Sequence, residues 1–301
     1  MLPEFVGPTL ITINAGEVEN NGLDISLNTV LYEKKDLSIN SNFNLSANKN
    51  NVVKLVDGID SMVLGNQYYG NTFPVNPTRV EVGKPISTFR GYHFEGVYQT
   101  GNTEGGTPGH AKYRDLDGDN NITSNDIGNV GDGNPDFTWG WNLNVDYKDF
   151  NLNMVFDGAQ GNDIYNFQRM RMMGLGSAQF HAVHADYNNS WSATNPSNTI
   201  HSGTQAARDD NQWLSSQFLE DGSYTTLRSA SLTYNLKDAL SDFGIEQLKI
   251  FVNGENLFIV TDYSGFDPVS TASGNSDVDL GIDLNAFPIS RSFSVGFNLT
   301  F

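Results

Sequence analysis

The sequence predicts an all-β chain: antiparallel strands from a membrane-spanning β-barrel, with long loops gathered at one end. Three observations lead there. Apolar and polar residues alternate with a period of two, the mark of a strand with one apolar and one wet face. The alternating runs last about 10–13 residues, longer than the usual ~5–6 and close to the ~9–11 of a tilted membrane strand. Connections switch between very short and very long, as the inner turns and outer loops of membrane barrels do.

The first run sets Leu23, Ile25, Leu27 and Leu31 against Asp24, Ser26 and Asn28. A charged turn, Glu33–Asp36, leads to Leu37, Ile39, Phe43 and Leu45, opposed by Ser38, Asn40, Asn42, Asn44 and Ser46. The design recurs in Trp139, Trp141, Leu143, Val145 and Tyr147, then, after Lys148–Asp149, in Phe150, Leu152, Met154 and Phe156. A third pair covers Tyr224 to Leu236 and Leu248 to Ile259, joined by a short, helix-compatible stretch from Lys237 to Gln247. The chain ends on Phe293, Val295, Phe297, Leu299 and Phe301. A soluble β-sandwich also alternates, but strand length and loop asymmetry favour the membrane barrel. Tyr32, Tyr147, Phe150 and Tyr234 sit beside the turns, where an interfacial aromatic girdle belongs.

About seven spanning strands result, near 22–32, 37–48, 138–147, 150–157, 224–236, 247–259 and 289–301, with outer loops near 49–137, 158–222 and 260–288. If the last strand runs inward, every short turn is periplasmic and every long loop extracellular. Bacterial single-chain barrels have even strand numbers, so the odd count implies an incomplete barrel. Met1–Phe5 shows no basic region before an apolar stretch, so either the chain is not exported or its N-terminus is missing.

Composition narrows the function classes. A formal charge of −18 and a pI near 4.4 argue against nucleic acid, which wants a basic face, and suit a solvated outer rim or a cation-binding surface. Cysteine is absent, which rules out disulfides and thiolate metal sites. Mean hydropathy is −0.38, and no apolar run approaches the ~18 residues of a membrane helix; barrel strands leave no such signal.

One motif carries metal chemistry. Asp115, Asp117, Asp119, Asn121 and Asp126 occupy positions 1, 3, 5, 7 and 12 of an EF-hand-type loop, with Ile122 at position 8. The spacing converges oxygen ligands on one Ca2+ ion. Asn120 replaces the usual glycine at position 6, though Asn tolerates the left-handed turn, and Asp126 is shorter than the usual Glu. The alternative is an acidic cluster of Asx turns in a solvated loop. His181 and His184 could share a helical face but lack a third ligand, and no HExxH, GxSxG or Walker A motif marks an enzyme. Tyr68, Tyr69, Phe73, Tyr92, Phe94 and Tyr98 could stack on sugar rings or peptide side chains; small cores that hold loops still are the commoner use of such residues.

Several motifs, in order, resemble the C-terminal part of the SusC/RagA family of TonB-linked outer-membrane proteins. They include Asn20–Asp24, Gly83–Pro85 with Phe89–Tyr92, Gly96–Thr100 and the acidic run from Tyr113 to Asp126. Tyr147–Phe150, Asp221–Tyr224, Asn256–Phe258, Tyr263–Pro268 and the terminal Phe301 complete the series. The resemblance spans nearly the whole chain. It implies part of a 22-stranded barrel whose plug and signal peptide are not in this sequence. The implied function is active import of oligosaccharides or peptides, without catalysis, in the outer membrane. The implied partners are a SusD-like surface lipoprotein, the TonB–ExbB–ExbD complex reached through the N-terminal part, outer-membrane lipid, and the barrel-assembly machinery. That machinery would read Phe297, Leu299 and Phe301. The alternative is a self-standing small barrel serving as adhesin or structural protein.

Overall fold

A computed structural model describes residues 16–56, 58–63, 68–69, 74–173, 184–203, 214–237, 244–269 and 278–301. Seven strands form one antiparallel sheet in chain order: β1 (Gly16–Lys34), β2 (Leu37–Leu55), β3 (Phe137–Tyr147), β4 (Phe150–Gln160), β5 (Tyr224–Lys237), β6 (Gln247–Thr261) and β7 (Ser292–Thr300). Nearest-neighbour pairing throughout follows from the hairpin turns, which cost little loop entropy to close. No described helix is long and apolar enough to cross a membrane.

The alternation read from the sequence becomes two continuous surfaces because the strand registers agree. Tyr32, Ile39, Val145, Leu152, Leu232, Val252 and Val295 form one unbroken apolar row across all seven strands. On the other face the corresponding row runs Asn40, Asn144, Asn153, Ser231, Asn253 and Ser294. The apolar face stays uncovered: Leu27 is 54% exposed and Val295 75%. Such an area destabilises a protein in water and is solvated in hydrocarbon. Even the indole of Trp141 follows this logic, donating to Ser41 Oγ at 2.9 Å where lipid offers no acceptor. At the short-turn end Phe150 packs on Tyr234 with centroids 4.5 Å apart, and Lys34 and Lys148 lie over the rings of Tyr32 and Tyr147.

Some boundaries differ from the sequence reading. β2 runs to Leu55 and β1 starts at Gly16, so the first long loop begins after Leu55 rather than near 49. Polar residues such as Glu17, Glu19, Asn48 and Lys49 hid these extensions, since their pairing needs no apolar face. Leu31 is not in the apolar row: a register shift between Val30 and Tyr32 lets Tyr32 oppose Ile39. Such a bulge inserts one residue without flipping the faces beyond it. β7 begins at Ser292, not 289, and ends one residue before Phe301. Of the connection from Lys237 to Gln247, residues 238–243 lie outside the described set.

The three long loops (56–136, 161–223 and 262–291) leave the same end of the sheet and share one core. Phe89 comes from the first. Tyr165, Phe167, Met170, Met173, Ile200, Leu214 and Phe218 come from the second, and Ile282 from the third; all nine are buried. A single helix, α1 (Phe167–Met173), supplies three of them. The third loop is threaded through the others: Ile282–Asp283 pairs in parallel with Tyr165–Asn166, and Thr78 Oγ1 donates to the buried Asp279. A second cluster, Val52, Leu55 and Val80, joins the outer end of β2 to this loop layer.

Candidate functional site

The acidic loop lies between the strand Ala111–Tyr113 and the strand Ile127–Asp132, which pairs with Thr88–Tyr92 in the loop layer. Its carboxylates first organise its own backbone. Asp115 accepts the N–H groups of Gly118 at 2.7 Å and Asn120 at 2.8 Å. Asp126, fully buried, closes the loop by accepting Leu116 N–H on one oxygen and Thr123 N–H on the other, both at 2.7 Å. These bonds, that from Thr123 foremost, hold its carboxyl below the ordinary carboxylate range. Asn120 has φ +63°, the left-handed turn that glycine usually supplies at this position.

The fold gathers three of the four predicted carboxylate ligands. Carboxylate oxygens of Asp115, Asp117 and Asp126 lie within 4.8 Å of one another. Asp119 is exposed and outside that group, its side chain capping Asn121 N–H at 2.7 Å; Asn121 is likewise exposed. Three convergent carboxylates on a turn of this shape match the hard oxygen-donor chemistry of Ca2+.

The other candidates have structural roles. His184 caps the short 3-10 helix Ala185–Asn189 through Nδ1 and so precedes a helix instead of lying on its face; His181 lies outside the described residues. His201 is buried, its Nδ1 2.9 Å from the Ser202 carbonyl. Tyr92 is buried against Tyr113, with centroids 5.6 Å apart, and Phe94 packs on the same ring. These two aromatics thus serve a loop core. The Tyr98 ring lies over Gly106, where a Cβ would come within 2.3 Å of it. Phe73 and the side chains of Tyr68 and Tyr69 lie outside the described residues.

Sequence reasoning missed Asp163, at the junction of β4 and the loop layer. Burial, with repulsion from Asp132 and Asp221, pushes its carboxyl up to about 6, although Asp132 N–H donates to it. The folded state therefore binds this proton more tightly than the unfolded chain. The resulting stabilisation is full below about pH 4 and lost as pH rises through about 6. Asp163→Asn is expected to stabilise the loop layer at pH 8 by about 1–2 kcal/mol, discounted for partial solvation, and to flatten its stability between pH 5 and 7. Hydrogen exchange of the 163–166 amides at both pH values checks this.

An open antiparallel sheet with one lipid-type and one polar face, bearing co-folded loops at one end, defines a class: the wall of an outer-membrane β-barrel. No protein-family profile matches the chain. Relatives do. The TonB-dependent receptor P3 of Formosa agariphila is 34% identical over 100% of this chain and 30% of its own length. The TonB-dependent receptor SusC of Bacteroides thetaiotaomicron is 25% identical over 97% of this chain and 27% of its own. The structure of the RagAB peptide transporter superposes with a TM-score of 0.76 at 23% identity, over 96% of this chain and 30% of that one, which supports the fold. The chain is thus recognised as SusC/RagA-type TonB-dependent receptor sequence throughout. It spans under a third of the length of these relatives, which are named as TonB-dependent receptors.

Proposed function

We propose that the chain forms wall and outer loop layer of an outer-membrane active transporter that imports oligosaccharides or peptides and has no catalytic role. A SusD-like lipoprotein covers its loop end, and TonB–ExbB–ExbD energises it through parts beyond this chain. The observation that carries the reading is the whole-length similarity to TonB-dependent receptors on a sheet with one apolar and one amide-lined face. The rival, a self-standing adhesin barrel, needs the sheet to close on itself, whereas β1 and β7 each keep a free edge among the described residues. In the membrane, Phe297 and Leu299 face lipid, and with Phe301 they form the motif read by the assembly machinery. Deleting the encoding gene should abolish uptake of labelled oligosaccharides or peptides in whole cells. Undiminished uptake of every one of them would overturn the proposal.

The acidic loop is proposed to hold Ca2+ through Asp115, Asp117 and Asp126, with Asp119 and Asn121 as further donors after a local turn. The ion would staple the strand Ile127–Asp132 to the end of the strand Ala111–Tyr113. Isothermal calorimetry should show binding in the range of ~10 µM to 1 mM, typical of exposed sites. Asp115→Ala with Asp126→Ala should abolish it. Asp117→Asn, which keeps an oxygen to accept the Asp119 N–H, should weaken it about tenfold or more. Equal heats for all three proteins would remove the assignment.

A further inference from the structure

The strand Thr88–Tyr92 sends two adjacent side chains to opposite faces. Phe89 enters the shared core, so Arg90, one residue on, stands on the other face of the loop sheet. There it lies opposite Asn129 of the strand Ile127–Asp132. On the other side, in the strand Thr78–Glu81, Arg79 lies opposite Thr88, two residues from Arg90 and on the same face. That diagonal is about 7–8 Å, within reach of long side chains. Thr88–Tyr92 runs between the other two strands, and the Arg79 side chain crosses it, its Nε donating to Asn129 Oδ1 at 2.6 Å. Two guanidinium groups therefore share this face.

Only one of them has a counter-charge. Glu81 lies 3.1 Å from Arg79 Nε and accepts from Asn129 Nδ2 at 2.9 Å. Arg90 is partly buried, and its enclosed Nε has no acceptor. Among the described residues no carboxylate pairs with it. Burial first, then the charge on Arg79, pulls its pKa below the ordinary arginine value, though a guanidinium stays cationic at neutral pH. Tyr92 feels both Arg90 and Asp126, but the Asp126 carboxylate is occupied by Leu116 and Thr123 N–H. A half-enclosed guanidinium without acceptors is costly. The chain carries a formal charge of −18, yet none of the described carboxylates reaches this group. The missing partner has a definite chemistry. Two guanidiniums and the Glu81 carboxylate leave one positive charge, which a carboxylate cancels and a dianion exceeds. The planar fork of arginine also matches the two oxygens of a carboxylate.

We propose that Arg90, with Arg79 beside it, is a binding site for one carboxylate group. The group comes from a small-molecule acid or from an acidic side chain of a protein seated on the loop end.

Arginine labelling reads the site directly. The full receptor in detergent is treated with phenylglyoxal, and modification of Arg90, Arg79 and the exposed Arg291 is followed by peptide mass spectrometry. Acetate or glutarate should slow labelling of Arg90 and Arg79 several-fold and leave Arg291 unchanged. Half of the effect should be reached near ~1 mM, the affinity of two charge-assisted contacts. Chloride and sulfate at matched ionic strength should protect far less. Arg79→Met should raise the half-protecting acetate concentration several-fold, and Arg79→Lys less. The wild-type measurement decides even where a variant fails to fold. A second arm, which rests on the transporter reading, compares the receptor alone with the receptor bound to its surface lipoprotein. Shielding of Arg90 in the complex, lost when a single lipoprotein Asp or Glu is neutralised, assigns the carboxylate to the protein partner. Shielding by acetate or glutarate alone assigns it to a small molecule. Unchanged Arg90 labelling in both arms overturns the site, as does equal protection by chloride. A receptor that binds no such lipoprotein removes that part of the transporter reading and leaves the acetate arm in force.

Discussion

Leu143→Arg is expected to block stable insertion of the sheet, while Asn142→Arg, one residue away, leaves it nearly unchanged. Leu143 lies midway along β3, opposite Ser41 of β2 and Met154 of β4 on the apolar face. The aromatic row of Tyr147, Phe150 and Tyr234 lies toward one membrane surface and Trp139 toward the other. An arginine near the bilayer midplane of a barrel's lipid face costs roughly 2–4 kcal/mol, and near zero where it meets water. Asn142 faces Asn42 and its amide accepts from Asn153, so a charge there stays solvated. Urea titration of the receptor in phospholipid vesicles, read by heat-modifiable migration, measures both. Equal losses in the two variants would mean that the two faces have been assigned wrongly.

Phe89→Ala should have the second large effect, confined to the loops. Phe89 is fully buried and meets the Tyr165 ring edge-on at 5.8 Å, so it touches the second loop from the first. Removing a buried phenyl costs about 3–5 kcal/mol when the cavity cannot collapse. Here the neighbours are drawn from three loops, and the parallel pairing of Tyr165 with Ile282 limits their movement. Limited proteolysis should cut within 56–136 and 161–223 much faster than in wild type, with the sheet still heat-modifiable. If cleavage rates match, the three loops do not share one cooperative core.

The wall was legible in the sequence because its code is local. With a period of two, Leu37 to Leu45 or Phe150 to Phe156 announces both the strand and its lipid face within a few residues. Where the faces no longer differ in solvent, as in Gly16–Asn21 and Lys49–Leu55, the pairing continues but the pattern does not report it. Bulges are equally silent: nothing at Leu31 marks it as the inserted residue. The loop layer was hidden for another reason. Its strands are short, and its decisive contacts join residues more than a hundred positions apart, such as Tyr165 with Ile282 and Thr78 with Asp279. At the acidic loop, spacing alone located Asp115, Asp117 and Asp126. It could not foresee that Asp119 would turn to cap Asn121 N–H. Nothing in the sequence marked Asp163 as buried; only the folded loops set it apart.

The threading of Ile282–Asp283 beside Tyr165–Asn166 also bears on how such receptors diversify. Recombination that imported a single outer loop from a relative would bring in one third of a jigsaw and leave the remaining pieces without their neighbour. Viable exchanges must carry all three loops together. They would therefore be inherited as one cassette, with the crossover points falling in the wall strands.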